Sequence, residues 1–236
     1  MSTEVAKSSE TKEPQYDYMV SLAGKAGTER LGLVANAVMH DDPRRLVFLL
    51  SRYKFVSKMF EGLHSALEVG CGDATGARLV RQTVPNVVAC DFDPLFIDDA
   101  RSRNSDPWLL DLRVHDFMDG PIDEGFQGVY ALDVLEHIHE SDEDVFLSNV
   151  SGSLGVAGVA IIGMPSLESQ VHASTASKEG HVNCKTGAEL KATMERHFEN
   201  VFLFSMNDEV VHTGFAPMAH YLLALCVRPI RRAEES

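Results

Sequence analysis

The sequence predicts an α/β fold, a mostly parallel sheet of seven strands with helices on both faces, and three observations predict it. From about residue 63 onward, short apolar runs alternate with stretches of helical periodicity. The run Ala66-Leu67-Glu68-Val69 breaks into Gly70-Cys71-Gly72-Asp73-Ala74-Thr75-Gly76 and restarts as a helical pattern, which reads as strand, tight turn and helix. Later apolar runs likewise give way to acidic residues at their carboxyl ends, at Asp91, Asp116 and Asp133. In an open α/β sheet those ends are where ligands collect.

A length of 236 residues suits one such domain with extensions. The expected division is a disordered tail over residues 1–15, N-terminal lid helices over 16–62 and the α/β domain over 63–236. With 35 acidic against 21 basic residues, the net charge of −14 disfavours a broad phosphate-binding surface, so no nucleic-acid partner is expected. Cys71, Cys90, Cys184 and Cys226 form no C-x-x-C pair and read as reduced, structural thiols. No apolar run reaches the roughly 18 residues of a membrane span, and Met1-Ser2-Thr3-Glu4 does not begin a secretory signal. The expectation is a cytoplasmic protein without a membrane partner.

Residues 1–15 are rich in Ser, Thr, Glu and Lys, with little to bury in return for ordering them. From Thr28 to Val38 apolar residues return at helical spacing, and Asp42-Pro43 supplies an N-cap and a first-turn proline for a second helix running to about Phe60. That helix is both apolar and basic. It suits a packing helix with a solvated face, or a lid whose Arg52 or Lys54 meets a cofactor or substrate carboxylate.

At the glycine turn, Gly70 and Gly72 permit backbone angles and a close ligand approach that a Cβ would block, and a helix start offers free N–H groups to an anion. Purely structural connections share this composition. The spacing is not the dinucleotide fingerprint, because its third glycine falls at Thr75. It resembles motif I of the class I S-adenosylmethionine-dependent methyltransferases, an acidic-x-G-x-G pattern matched by Glu68, Gly70 and Gly72.

The strand Asn86 to Asp91 comes next, and Asp91 lies 23 positions beyond Glu68, the interval at which nucleoside-binding folds place a carboxylate on the ribose hydroxyls. Asp93, directly before Pro94, is the better helix cap. A third strand, Leu109 to Val114, leads to His115-Asp116-Phe117, which resembles the family motif whose acid accepts from the adenine amino group. An acidic turn residue is also ordinary loop chemistry. The fourth strand, Gly128 to Leu132, runs into Asp133-Val134-Leu135-Glu136-His137-Ile138. This resembles the family subgroup with a leucine-glutamate-histidine motif after strand four, which includes ubiquinone-pathway and sugar or natural-product O-methyltransferases. The resemblance implies a Rossmann-like sheet with one reversed strand near its edge. It also implies S-adenosylmethionine as cofactor, held by Arg52, Glu68, Gly70, Gly72, Asp91, Phe92, Asp116, Phe117 and Leu132.

Beyond the motifs, Asp142 to Leu154 reads as a helix and Gly158 to Gly163 as a fifth strand. Residues 167–180 carry no periodicity and are assigned to a substrate-access loop. A helix from Gly187 to about His197 and strands at Val201 to Phe204 and Met218 to Val227 complete the domain. Between those strands, Ser205 to Pro217 is longer than the usual family hairpin and is expected to add substrate contacts, while Arg228, Arg231 and Arg232 form a solvated basic end.

Methyl transfer is an in-line displacement, so the chain must align an acceptor and supply a base where the acceptor is a hydroxyl. His137 is the first choice for that base and His181 the runner-up, although His137 equally suits a bracing hydrogen bond to a backbone carbonyl. A third arrangement is a magnesium or zinc site from Asp133-x-x-Glu136-His137 closed by His181, similar to the Glu-x-x-Glu-His set of small-RNA 2′-O-methyltransferases and ubiquinone-pathway enzymes. Here the first acid is one methylene shorter. The expected activity is methylation of a small molecule at a hydroxyl of a sugar, phenol or secondary metabolite. Cyclisation or lysis of the cofactor without an external acceptor, and an inactive cofactor-binding scaffold, are the competing readings. A homodimer is compatible with the sequence.

Overall fold

The computed structural model describes residues 11–105 and 107–231, so most of the expected tail and Arg232 lie outside the described residues. The chain divides after Leu31 into two units. In the first, a turn over Pro14–Tyr16 leads into helix α1 (Asp17–Ala26), which falls in the stretch 16–62 expected to be helical but ahead of the first helix placed there, at Thr28 to Val38. Thr11 donates from its backbone N and its hydroxyl to Asp17 Oδ1, at 3.1 and 2.7 Å.

The second unit opens with α2 (Leu33–Asp41), which begins later than expected because Gly32, in an extended conformation, is its N-cap. Helix α3 (Pro43–Met59) starts where the sequence places it: Pro43 occupies the first turn and Asp42 Oδ1 accepts from Arg44 N at 3.1 Å. The remaining elements are β1 (Ser65–Val69), α4 (Ala77–Arg81), β2 (Asn86–Asp91), α5 (Pro94–Arg101), β3 (Asp111–Val114) and β4 (Phe126–Leu132). They continue with α6 (Glu143–Gly152), β5 (Leu154–Pro165), α7 (Thr175–Gly180), α8 (Gly187–Met194), β6 (Phe198–Asn207), β7 (Val210–His212) and β8 (Tyr221–Pro229).

The sheet has eight strands in the order β3-β2-β1-β4-β5-β8-β6-β7, one more than expected. Strands β3 to β5 are mutually parallel, and β8 runs antiparallel to both β5 and β6. The extra strand lies in the segment read as a connection. There β6 continues to Asn207, Asp208 takes a left-handed conformation (φ +50°), and the chain returns as β7 with Ser205 opposite His212. A tight turn of this kind needs positive φ, which Asp tolerates better than most residues. Two strands are therefore reversed rather than one. The stretch 167–180 is likewise more ordered than expected, with a short helical turn at Glu168–His172 followed by α7, whose cap Ser174 Oγ accepts from Ser177 N at 3.1 Å.

Strand alternation distributes the core to two sides. Leu67 and Val69 pack with Phe146 and Leu147 of α6 and Leu190 and Met194 of α8, whereas Ala66 packs with Val56 of α3, Val80 of α4 and Ile97 of α5. The chain order reverses between β1 and β4, which opens the sheet at the carboxyl ends of its central strands. Among the described residues no helix is long and apolar enough to cross a membrane. The four cysteines are free, and only Cys184 is not buried.

Candidate active site

The glycine turn is shaped by contacts the backbone makes on each side. Gly70 has φ +70°, and a Cβ there would lie 2.5 Å from Val134 Cγ2. Gly72 (φ +51°) donates its N–H to Asp91 Oδ2 at 2.8 Å, and Cys71 N donates to Cys90 O at 2.9 Å, so the turn is pinned to the end of β2. Asp73 closes the other side: Oδ1 accepts from Thr75 N (2.9 Å) and Oδ2 from Ala35 N of α2 (2.7 Å). The helical part, α4, starts only at Ala77, so an irregular turn rather than a helix end follows Gly72 directly.

Glu68 sits beneath this turn, only 1 % exposed. Its two carboxylate oxygens accept from Tyr53 Oη (2.8 Å) and Tyr130 Oη (3.0 Å), and burial pushes its carboxyl up to about 8. The side chain braces the turn against α3. Neither tyrosine carries a sequence signal for this role.

Above the turn, a cavity of about 550 Å³ is lined by Gly70, Asp91, Phe92, Asp116 and Phe117, together with Val69, His115, Met118, Asp133, Val134, His137, Ile138 and Phe146. It thus unites five of the residues assigned to a cofactor with the first-choice histidine. Glu68, Gly72, Leu132 and Arg52 do not line it. Asp91 Oδ1 accepts from Asp93 N at 3.0 Å, which fixes the carboxylate while each oxygen keeps a second lone pair. Asp116 Oδ1 similarly accepts from Met118 N at 2.8 Å. Phe92, 71 % exposed, stands at the cavity. Another cavity of about 590 Å³ opens by Ser65, Asn86 and Asp111, at the amino ends of β1 to β3, and contains none of the candidate residues.

Arg52 is placed differently from its expected role. Its guanidinium pairs with Asp133 Oδ2 and lies 3.7 Å over the ring of Tyr221, while Lys54 is exposed. Asp133 is held in the left-handed region (φ +58°), with its N–H donating to Gly163 O at 3.0 Å. Asp133 therefore joins α3 to the end of β4.

The two histidines meet. Their ring centroids are 5.2 Å apart, His137 Nδ1 lies 2.8 Å from Gly180 O, and His181 Nδ1 lies 2.9 Å from Gln170 Oε1. A carbonyl only accepts, so His137 Nδ1 carries a proton, and in the neutral ring Nε2 has the lone pair. The bracing contact and a basic nitrogen coexist on one ring. Burial and the neighbouring His137 hold the His181 imidazole below its ordinary value. Behind them Glu136 is fully buried with both carboxylate oxygens unpartnered, and burial together with nearby Asp133 pushes its carboxyl up. Ligand atoms of Glu136, His137 and His181 all lie within 4.8 Å of one another. An unpartnered buried acid beside two imidazoles is a donor set that suits a divalent cation. Asp133, expected as the first member of that set, is instead engaged by Arg52.

Residues 67–162 match the family model described as "Methyltransferase domain". No curated protein matches the chain by sequence. Among solved structures, the N-methyltransferase NodS from Bradyrhizobium japonicum WM9 in complex with S-adenosyl-L-homocysteine superposes with a TM-score of 0.62 at 15 % identity, covering 81 % of this chain and 91 % of that one. The DhpI complex with S-adenosylhomocysteine gives 0.59 at 17 %, covering 92 % and 96 %. The methyltransferase domain of bacterial CtHen1-C gives 0.63 at 12 %, covering 77 % and 98 %. At these identities the likeness is one of fold.

Proposed function

The chain being an S-adenosylmethionine-dependent methyltransferase, we propose that it methylates a small-molecule acceptor at a hydroxyl group, as on a sugar, phenol or secondary metabolite. The observation that supports this reading is the cavity at the carboxyl ends of β1, β2 and β4, with His137 in its wall. The residues present fit the cofactor. At Gly70 the backbone packs directly against Val134, where a Cβ would collide, so both residues line the cavity at close quarters, and the apolar wall includes Phe92, Phe117 and Met118. Asp91 and Asp116 would accept from its ribose hydroxyls and adenine amino group. When bound, S-adenosylmethionine supplies an electrophilic methyl carbon on a sulfonium centre. The acidic groups of the cavity wall that carry no ion pair with Arg52, Asp91 and Asp116, complement that positive charge.

His137 then acts on the acceptor. With Nδ1–H engaged by Gly180 O, Nε2 takes the hydroxyl proton as the oxygen attacks, and the fixed ring keeps the base oriented. His181, seated against Gln170, limits how that ring moves.

A second reading is favoured by the unpartnered oxygens of Glu136. A divalent cation held by Glu136, His137 and His181 would bind the acceptor oxygen and lower the pKa of its hydroxyl. His137 would then be a ligand rather than a base.

The test is incubation with methyl-labelled S-adenosylmethionine and a panel of hydroxyl-bearing acceptors, with and without chelator. Label in a hydroxyl acceptor supports the proposal, and label only in amines or macromolecules overturns it. Consumption without any acceptor supports the intramolecular reaction instead. Chelator-sensitive transfer restored by Mg²⁺ or Zn²⁺ favours the cation reading; chelator-insensitive transfer lost in His137→Gln favours the base.

A further inference from the structure

A buried polar cluster outside the cavity ties down the segment that carries His181. Glu143, in the first turn of α6, is only 3 % exposed, yet it accepts three hydrogen bonds. Lys185 Nζ lies 2.8 Å and Asn183 Nδ2 2.9 Å from Oε2, and an Arg196 guanidinium nitrogen lies 2.8 Å from Oε1. Lys185 Nζ also donates to Asn183 Oδ1 at 3.1 Å, which closes a three-membered network. Asn183 and Lys185 are buried as well.

The same residues are stitched through their backbones. Val182 N and Asn183 N both donate to Glu136 O, at 2.8 and 3.1 Å, and Leu167 N donates to Lys185 O at 2.9 Å. The strip 181–185 therefore runs between the Leu135–His137 turn and the end of β5, with the Glu143 cluster beneath it. Its first residue is His181, and the carbonyl just before it, Gly180 O, is the partner of His137 Nδ1. Any slide of this strip would change both imidazoles at once.

A buried ion pair is a poor source of net stability, because desolvating two charges offsets most of their attraction. Its geometric specificity is the stronger reason for its presence. We propose that Glu143, Asn183 and Lys185 are positioning residues that fix the 181–185 strip, and through it set the spacing and orientation of His181 and His137. This rests on the reading above that the two histidines work at the site.

The test is histidine side-chain ¹H–¹⁵N NMR on the full chain, with the His137 and His181 signals assigned from their Gln variants and His212 as an internal reference. The variants are Asn183→Leu, which leaves the Glu143–Lys185 pair intact, and Glu143→Gln combined with Lys185→Met, which neutralises the pair together. Arg196→Ala is the control, since it removes a bond to Glu143 without touching the strip. Both test variants should melt as single cooperative units, shift or broaden the His137 and His181 signals, and leave His212 unmoved. Zn²⁺ affinity or kcat should fall about 10- to 100-fold, the range seen when outer partners of working groups are removed. If the paired variant does not fold, Asn183→Leu decides. Folded variants with His137 and His181 signals at their wild-type positions would overturn the positioning role. Shifted signals with unchanged methyl transfer and Zn²⁺ binding would uphold it and instead refute the histidines as working groups.

Discussion

Replacement of Gly70 by alanine separates two physical demands on the cofactor turn. The first is conformational: φ is +70°, and a non-glycine residue in the left-handed region costs about 1–2 kcal/mol. The second is steric, because the new Cβ would lie 2.5 Å from Val134 Cγ2, and overpacking of this kind costs about 1–3 kcal/mol. Together they predict a loss of about 2–5 kcal/mol, or a fall in Tm of roughly 5–15 °C for a domain of this size. Val134→Ala in the same chain removes the overlap but not the backbone strain. Measured against Val134→Ala alone, the double variant should therefore retain a deficit of only about 1–2 kcal/mol. Denaturant unfolding supplies the stabilities, and calorimetry with S-adenosylhomocysteine supplies the affinity, which should fall in both Gly70 variants. Wild-type stability and affinity in Gly70→Ala would show that neither demand acts on this residue. An identical deficit on both Val134 backgrounds would refute the steric demand.

Glu68 keeps its proton in the fold up to about pH 8, while the unfolded chain releases it near the ordinary carboxylate value. Wild type should thus lose stability relative to Glu68→Gln as pH rises between those values, by about 1.4 kcal/mol per unit of pKa difference, read from melting curves across that window. Glu143 behaves oppositely. Burial pushes its carboxyl up, but the hydrogen bonds from Lys185 and Asn183 outweigh this and leave it below the ordinary value. The advantage of wild type over Glu143→Gln should be present above the ordinary carboxylate range and vanish as acid titrates the lowered group, which unfolding curves in acid will check. Arg52→Ala frees Asp133 and uncovers Tyr221, and it should raise the apparent KM for the acceptor about 10-fold, equivalent to about 1.4 kcal/mol of binding, with a smaller change in kcat. An unchanged KM in steady-state kinetics would show that the Arg52–Asp133 pair does not shape acceptor binding.

The parts of the site written locally in the chain were legible. Gly70, Asp91 and Asp116 stand at or just beyond strand ends, which set their position, and His137 lies in the short turn that follows β4. The N-cap at Asp42 was readable for the same reason. Contacts between distant segments were not. Tyr130 reaches Glu68 across 62 residues of sequence and Asn183 reaches Glu143 across 40, and neither leaves a periodic or compositional trace. Arg52 was read toward a ligand because its sequence context shows a free cation, whereas the fold supplies Asp133. Strand β7 was missed since its three residues carry no alternation long enough to register, and only the positive φ at Asp208 makes the hairpin.

The proposed activity depends on a nucleoside site built on Gly70, Asp91 and Asp116. Its most direct test is calorimetric titration of S-adenosylmethionine and S-adenosylhomocysteine into wild type and Asp91→Ala. Binding by wild type and its loss in the variant are expected, because the carboxylate that receives Gly72 N–H lines the same cavity. Absence of binding by wild type, or equal affinity in the two proteins, would show that this cavity is not the nucleoside site.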